Sequence, residues 1–231
     1  MRAGPLFILA FLALAACDQV KPLLGGPACG PNPEFDQAAT TVVVSSAVAA
    51  VVRHDVNQEG IAHLPGTESL GPGGKLQGLT VVHHQLSYKT AIALTHPLLG
   101  GPRCAWIEKL TVDVTPEKME IYIPSEYPEG SCEYDQILSH ERQHEDTHRD
   151  VLQQEVDELR LSLAKATELP PRGRPIAVAD RPEAENKIEE MVDRATKPVY
   201  ARFREELKKR QAVIDLPENY RWTQDRCHDW K

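Results

Sequence analysis

Apolar and polar residues alternate with two different periods along this chain, and each period predicts a different element. Between residues 79 and 124, apolar residues recur at every second position in several segments, which is typical of strands with one buried face. Between residues 131 and 167 they recur every three or four positions, which predicts a long helix that ends before Pro170. A second helix is predicted from Glu183 to Ile214.

These elements predict an α+β fold in which a small twisted antiparallel sheet packs on two long helices. The segments 107–115 and 119–124 alternate cleanly around Thr115-Pro116-Glu117-Lys118, which predicts an antiparallel hairpin. We expect Met119–Pro124 to form an edge of the sheet, where an extended peptide could add as a further strand. The apolar segment 38–52 is compatible with one strand, two strands or a helix.

The apolar face of the first helix is interrupted by ionisable residues. The apolar side chains that share this face on a helical wheel are Ile137, Val151, Leu152 and Leu159. Glu141, His144 and His148 occupy the same face between them, with His140 at its edge. Burial of such groups is costly unless they are paired or bind a metal. This turn of the helix is therefore expected to form a site.

The interrupting residues have the spacing H-E-x-x-H, from His140 to His144. Residues four apart on a helix have Cβ atoms about 6 Å apart, so both imidazoles can bind one Zn²⁺ ion. Glu141 then lies beside the metal, where it can act as the general base and later protonate a leaving amine. His148 lies about 12 Å along the helix axis from His140, so we interpret it as a wall of the site or as a core histidine.

The first residues predict export. Residues 1–16 combine a positive start with a short apolar run, as in a secretory signal peptide, and the run is too short to span a bilayer. Leu14-Ala15-Ala16-Cys17 resembles a bacterial lipobox, which implies a lipid on Cys17 and an anchored protein that faces the periplasm from the inner or outer membrane. Residues 17–35 would then form a flexible tether, and residues 36–231 a single zincin-like domain.

The charge and the cysteine content indicate which partners and which covalent cross-links to expect. The net charge is −8, and no basic cluster with interleaved aromatic residues occurs, so a nucleic-acid partner is not expected. The cysteines that follow Cys17 are even in number, which in an exported chain predicts two disulfides. Of the three possible connectivities, we expect Cys104–Cys132, which would close a strand pair just before the H-E-x-x-H segment, and Cys29–Cys227, which would tie the N-terminal end to the C-terminal tail. A cysteine zinc site is the competing interpretation, but no C-x-x-C pair occurs. The sequence does not indicate an oligomeric state.

The segment G-S-C-E-Y-D-Q-I-L-S-H-E-R-Q-H-E-D is similar to a bacterial family of secreted zinc-dependent peptidases, first catalogued as a domain of unknown function. The resemblance covers roughly residues 79–227. In that family the second helix ends in a Tyr-Asp pair that is followed by a Thr and a His-Gly. Asp215 matches the Asp and Tyr220 takes the position of the His, which implies Asp215 as the third zinc ligand and Tyr220 as a second catalytic residue. Alternative third ligands are Tyr220 itself, Glu218, His84 and His96.

The sequence therefore predicts an envelope-exposed zinc metalloendopeptidase that hydrolyses peptide bonds with metal-activated water. Its substrate would be a peptide or protein, and its cofactor one Zn²⁺ ion. The alternative is a non-catalytic envelope lipoprotein that keeps the fold and binds metal or a partner. A closed zinc site with four protein ligands would favour this alternative, because catalysis needs a coordination position that is open to water.

Overall fold

The structure is a computed structural model of the 231-residue chain, and it describes residues 29–30, 39–44, 48–64, 77–95, 103–228 and 230. The predicted signal peptide, Cys17, most of the tether and His96 lie outside the described residues, so the predictions for them stay predictions. Among the residues that are described, no helix has both the length and the apolar content needed to cross a membrane.

The described part of the chain contains five strands and four helices. The strands are β1 (Ala39–Val44), β2 (Val51–Arg53), β3 (Leu79–Leu94), β4 (Arg103–Tyr122) and β5 (Ile176–Val178). The helices are α1 (Gln58–Ile61), α2 (Cys132–Lys165), α3 (Arg181–Ile214) and α4 (Pro217–Gln224). This mixture confirms the predicted α+β class, and it shows that the apolar segment 38–52 contributes two strands.

The sheet is built around β4. Along one side β4 pairs antiparallel with β3, and along the other it pairs parallel with β1 and β2 and antiparallel with β5. The sheet is therefore mixed rather than purely antiparallel, because strand direction depends on the connections and not on the local alternation of apolar residues. Within the described sheet, β3 pairs with β4 alone, so one edge of β3 has no strand partner there.

The predicted hairpin around residues 115–118 is wrong, because β4 runs continuously through them. Opposite this point the register of β3 shifts: His83 pairs with Lys118, whereas His84 pairs with Pro116. Glu117 is thus the extra residue of a β-bulge. A proline cannot donate to the ladder, and a bulge is one of the few places where a sheet accommodates it. The residues that suggested a turn mark this irregularity instead.

The predicted peptide-binding edge at Met119–Pro124 is wrong for the same reason. Residues 119–122 pair with β3, and residues 120–122 also pair with β2. Ile123 continues this pairing by donating its backbone N–H to the carbonyl of Arg53 at 2.9 Å. This segment therefore lies inside the sheet. The free edges in the described part belong to the strands that flank β4, which are β3 on one side and β1, β2 and β5 on the other.

Two disulfides form from the four predicted cysteines, but in a different connectivity: Cys29 pairs with Cys104, and Cys132 pairs with Cys227. The predicted pairing required a hairpin to return the chain from Cys104 toward Cys132. Without that turn, β4 extends for up to about 60 Å beyond Cys104, at roughly 3.3 Å per residue. Cys104 is consequently far from Cys132, which begins α2 and is bonded instead to the segment after α4.

The core lies between the sheet and the helices α2 and α3. It includes Leu110, Val112 and Val114 from β4, Val151, Val156 and Leu159 from α2, and Ile188, Val192 and Val199 from α3. Ser131 caps the N-terminus of α2, since its side chain accepts a hydrogen bond from the backbone N–H of Tyr134 at 3.2 Å. The interrupted apolar face is also confirmed, since His140, Glu141, His144 and His148 are all buried.

Candidate metal centre

Three potential ligand atoms converge where α2 meets the end of α3. The Nε2 atoms of His140 and His144 are 3.2 Å apart. Oδ1 of Asp215 lies 3.4 Å from Nε2 of His140 and 3.1 Å from Nε2 of His144. Two atoms that bind one tetrahedral zinc ion at about 2.1 Å are separated by about 3.4 Å. The buried group His140, Glu141 and His144 could therefore hold a metal ion, with the Asp215 carboxylate beside it.

The antiparallel packing of α3 on α2 brings Asp215 to this place. Hydrogen bonds join Ser162 to Ala195, Arg202 to Glu158 and Gln211 to His144. Residue numbers thus rise along α3 while they fall along α2, so the C-terminal end of α3 reaches the H-E-x-x-H turn. Asp215 is the residue that caps α3. A carboxylate 71 residues from His144 in sequence is in this way brought beside the two imidazoles by a helix end.

Gln211 orients His144. Its Nε2 donates to the backbone carbonyl of His144 at 3.1 Å, and since a carbonyl only accepts, the orientation of the amide is fixed. The amide oxygen of Gln211 then contacts Nδ1 of His144 and can only accept from it. Nδ1 therefore carries a proton, and Nε2 faces Asp215 and His140. Such outer partners set the tautomer and orientation of histidine ligands.

Glu141 is held from the β3 side. Oγ1 of Thr80 donates to Oε2 of Glu141 at 2.8 Å. A Cβ atom at Gly78 would lie 2.6 Å from Oε1 of Glu141 and 2.7 Å from Cγ2 of Ile137. Only a residue without a side chain leaves the carboxylate its present position. Gly78 and Thr80, just before and within the start of β3, therefore shape the site.

The ionisable groups of the cluster shift one another's pKa values. Burial raises the pKa of Glu141, although the nearby imidazoles of His144 and His140 partly offset this. Burial alone would lower the pKa of His144, but its hydrogen bond to Asp215 and the charges of Glu141 and Asp215 raise that pKa above its ordinary value. For Asp215, burial is outweighed by hydrogen bonds from the two histidines, so its pKa falls below the usual range. A metal cation would compete with protons for these atoms.

Tyr220 completes the wall of the cluster. Its hydroxyl donates to Oδ1 of Asp215 at 2.8 Å, and its ring centroid lies 5.0 Å from that of His140. Burial and the charge of Asp215 raise the pKa of Tyr220, so the hydroxyl stays protonated and remains a donor at neutral pH. Thr80, Glu141, His144, Asp215 and Tyr220 all face one cavity of about 550 Å³, which extends past His84 and His148.

The other sequence candidates lie elsewhere. His84 is on β3 beside Glu155, and Glu218 is exposed in the first turn of α4. Sequence reasoning missed Gly78, Thr80 and Gln211. Gln211 had a usable signal, since it lies four residues before Asp215 and therefore on the same face of α3. No sequence signal indicates Gly78 or Thr80, because their roles depend on how β3 passes α2.

Comparison of the chain with protein-family models, with curated proteins and with solved structures finds no significant match. The interpretation of the site therefore rests on its own geometry and chemistry.

Proposed function

We propose that this protein is a zinc-dependent metallopeptidase of the bacterial cell envelope, similar in its site to secreted zinc-dependent peptidases. The observation that carries the proposal is the triangle formed by Nε2 of His140, Nε2 of His144 and Oδ1 of Asp215, with sides of 3.1 to 3.4 Å. Two imidazoles and one carboxylate are a ligand set found in catalytic zinc sites, where a fourth position stays open. The adjoining cavity gives that position access to a substrate.

In this proposal each residue of the site has its own role in peptide-bond hydrolysis. Zinc bound by the three ligands would supply Lewis-acid activation of water and of the scissile carbonyl. Glu141 accepts the proton of the attacking water and then delivers it to the leaving amine. Its raised pKa suits this double role, and Thr80 holds the carboxylate in place through Oε2. Tyr220 positions Asp215 and can donate a hydrogen bond where negative charge develops on the substrate.

The substrate would bind along the free edge of β3. Gly78, Leu79, Thr80 and Val82 line the same cavity as Glu141, and in the described sheet β3 has a strand partner on one side only. An extended peptide that adds to this edge gains main-chain hydrogen bonds and places a peptide bond beside Glu141. We therefore assign peptide binding to β3 instead of residues 119–124.

The test is the isosteric variant Glu141→Gln, assayed with an unfolded protein substrate and mass spectrometry of the new termini. We expect the wild-type protein to cleave the substrate only with zinc present, and the variant to retain zinc but lose at least 99% of the activity, on the order of the effect of one catalytic proton-transfer group. Glu158→Gln, an exposed substitution on the same helix, is the control and should cleave normally. Equal cleavage by wild type and Glu141→Gln would overturn the proposal in favour of the non-catalytic lipoprotein.

A further inference from the structure

A second buried polar cluster lies farther along α2. It consists of His84 from β3 and of His148 and Glu155 from α2. The side chain of His84 is 7% exposed and that of Glu155 is 0% exposed, and His148 is 2% exposed. Within the described residues, the buried side-chain nitrogen and oxygen atoms that have no hydrogen-bond partner all belong to this cluster. They are Nδ1 and Nε2 of His84, Nδ1 of His148, and both carboxylate oxygens of Glu155.

The histidines of this cluster do not form an ion pair with Glu155. Burial lowers the pKa of His84 and of His148 to about 4, and it raises the pKa of Glu155 to about 8. All three groups are therefore neutral at pH 7 as they stand, with imidazole lone pairs available. Buried polar atoms are almost always paired in folded proteins, so five unpaired atoms at one place call for a partner.

The geometry suits a cation as that partner. Nε2 of His84 lies 3.7 Å from Oε2 of Glu155, close to the separation of about 3.4 Å for two atoms that bind one tetrahedral metal ion. The ring centroids of His84 and His148 are 6.0 Å apart, compared with 4.9 Å for His140 and His144. Among the described residues, the group that brings three ligand atoms within 4.8 Å of one another is His140, Glu141 and His144, so His148 must turn toward His84 and Glu155 to bind the same ion. Its neighbour Phe203, at 6.0 Å between ring centroids, is apolar and offers it no competing hydrogen bond.

We propose that His84, His148 and Glu155 form a second binding site, for a divalent first-row transition cation. Two imidazoles and one carboxylate favour zinc, iron or a similar ion over Ca²⁺ and Mg²⁺, which prefer oxygen ligands alone. An ion can reach the site, because His84 and His148 line the same 550 Å³ cavity as the metal centre, and Glu155 lines a neighbouring cavity of about 460 Å³. Binding would satisfy one nitrogen of each imidazole and the carboxylate of Glu155, and it would displace the proton of Glu155.

This second site is independent of the proposed peptidase function, and the variants can separate the two. The purified protein is stripped with chelator and titrated with Zn²⁺ or Co²⁺ by equilibrium dialysis, with metal content measured by mass spectrometry. We expect two equivalents per chain in the wild type. His144→Ala should keep the equivalent at His84, whereas His84→Gln and Glu155→Gln should keep only the one at His144, with at least a tenfold loss of affinity for the other.

His83→Gln is the matched control, because His83 is the exposed neighbour of His84 on β3 and should retain both equivalents. Glu155→Gln keeps the volume of the side chain, and its circular dichroism in chelator verifies that the fold is intact. A single wild-type equivalent that is lost in His144→Ala and kept in His84→Gln would overturn the second site, as would two equivalents that persist in both His84→Gln and Glu155→Gln. A single equivalent together with a raised KM in His84→Gln would also overturn it and would assign the cluster to substrate recognition.

Discussion

The two histidine clusters on α2 use the same residue types but differ in how their polar atoms are supported. At the candidate metal centre, Gln211 fixes His144, Thr80 holds Glu141 and Tyr220 donates to Asp215. Farther along the helix, the imidazoles of His84 and His148 and the carboxylate of Glu155 face one another without hydrogen-bond partners. In the described chain, none of the buried unpaired side-chain atoms belongs to the metal centre.

This difference teaches that residue type alone does not determine how firmly a cluster of ligand side chains is held. The supporting residues of the metal centre come from β3, α3 and α4, so packing of the whole domain determines its geometry. Preorganised ligands release a metal reluctantly and hold it in one orientation. The second cluster has the donor atoms without this support, which is suited to a weaker or more adaptable site. The predictions below test whether the supporting residues account for the difference.

The largest effect is expected for Asp215→Ala, which removes one of the three converging atoms. Zinc affinity at the metal centre should fall by more than about 100-fold, which is beyond the range typical of losing an outer partner. The reason is that the two imidazoles alone leave zinc one protein ligand short of a catalytic site, which has three protein ligands and one open position. Competition for zinc with a chromophoric chelator measures this change.

Glu218→Ala is the matched control for Asp215→Ala. The sequence also offers Glu218 as a third ligand, but its side chain is exposed in α4. Zinc affinity should therefore be unchanged in this variant. If Glu218→Ala lost zinc while Asp215→Ala kept it, the ligand set drawn from the converging distances would be incorrect.

A smaller effect is expected for Gln211→Leu, which leaves every ligand in place. Without the amide, Nδ1 of His144 has no acceptor there and the ring can rotate or change tautomer. Zinc affinity should fall about 10- to 100-fold, which is the usual consequence of removing such a partner. Gln153→Leu, at an exposed position of α2, should leave the affinity unchanged. An unchanged affinity in Gln211→Leu would mean that helix packing alone orients His144.

Much of the site could be predicted from the sequence, because its main signal is local. The apolar face of α2 and the polar residues that interrupt it follow from the helical period, and both histidines of H-E-x-x-H lie where that period places them. Asp215 is predicted as a ligand only through a family resemblance. Its position beside the two imidazoles depends on the antiparallel packing of α3 on α2. No local pattern determines that packing.

The parts of the fold that could not be predicted depend on long-range pairing. The T-P-E-K segment has turn-forming composition, and only the neighbouring strand shows that the chain continues through it as a bulge. That single misinterpretation also produced the wrong disulfide connectivity and the wrong sheet edge. Likewise, His84 gave no local sign that it would face Glu155, 71 residues away, because the contact requires β3 to cross α2.

The last prediction concerns Glu155 in the metal-free protein, and its direction follows from proton linkage. The pKa of Glu155 is about 8 in the folded chain and near the ordinary value of 4.5 when unfolded. Between pH 4.5 and pH 8 the folded chain therefore binds one proton more than the unfolded chain. The free energy of unfolding then falls as the pH rises. Glu155→Gln removes this proton, and its stability relative to wild type should increase by about 1.4 kcal/mol per pH unit.

Urea unfolding in chelator between pH 6.5 and 8 measures this slope as the difference between the wild type and Glu155→Gln, because protonation of the histidines in the unfolded chain contributes equally to both proteins. Glu190→Gln, an exposed substitution on α3, should show the same pH dependence as wild type. If the free energy of unfolding had the same pH dependence in the wild type and in Glu155→Gln, the buried carboxylate would be ionised in the folded chain. Glu155 would then need a charged partner without any added metal, and the contrast between the two clusters would disappear.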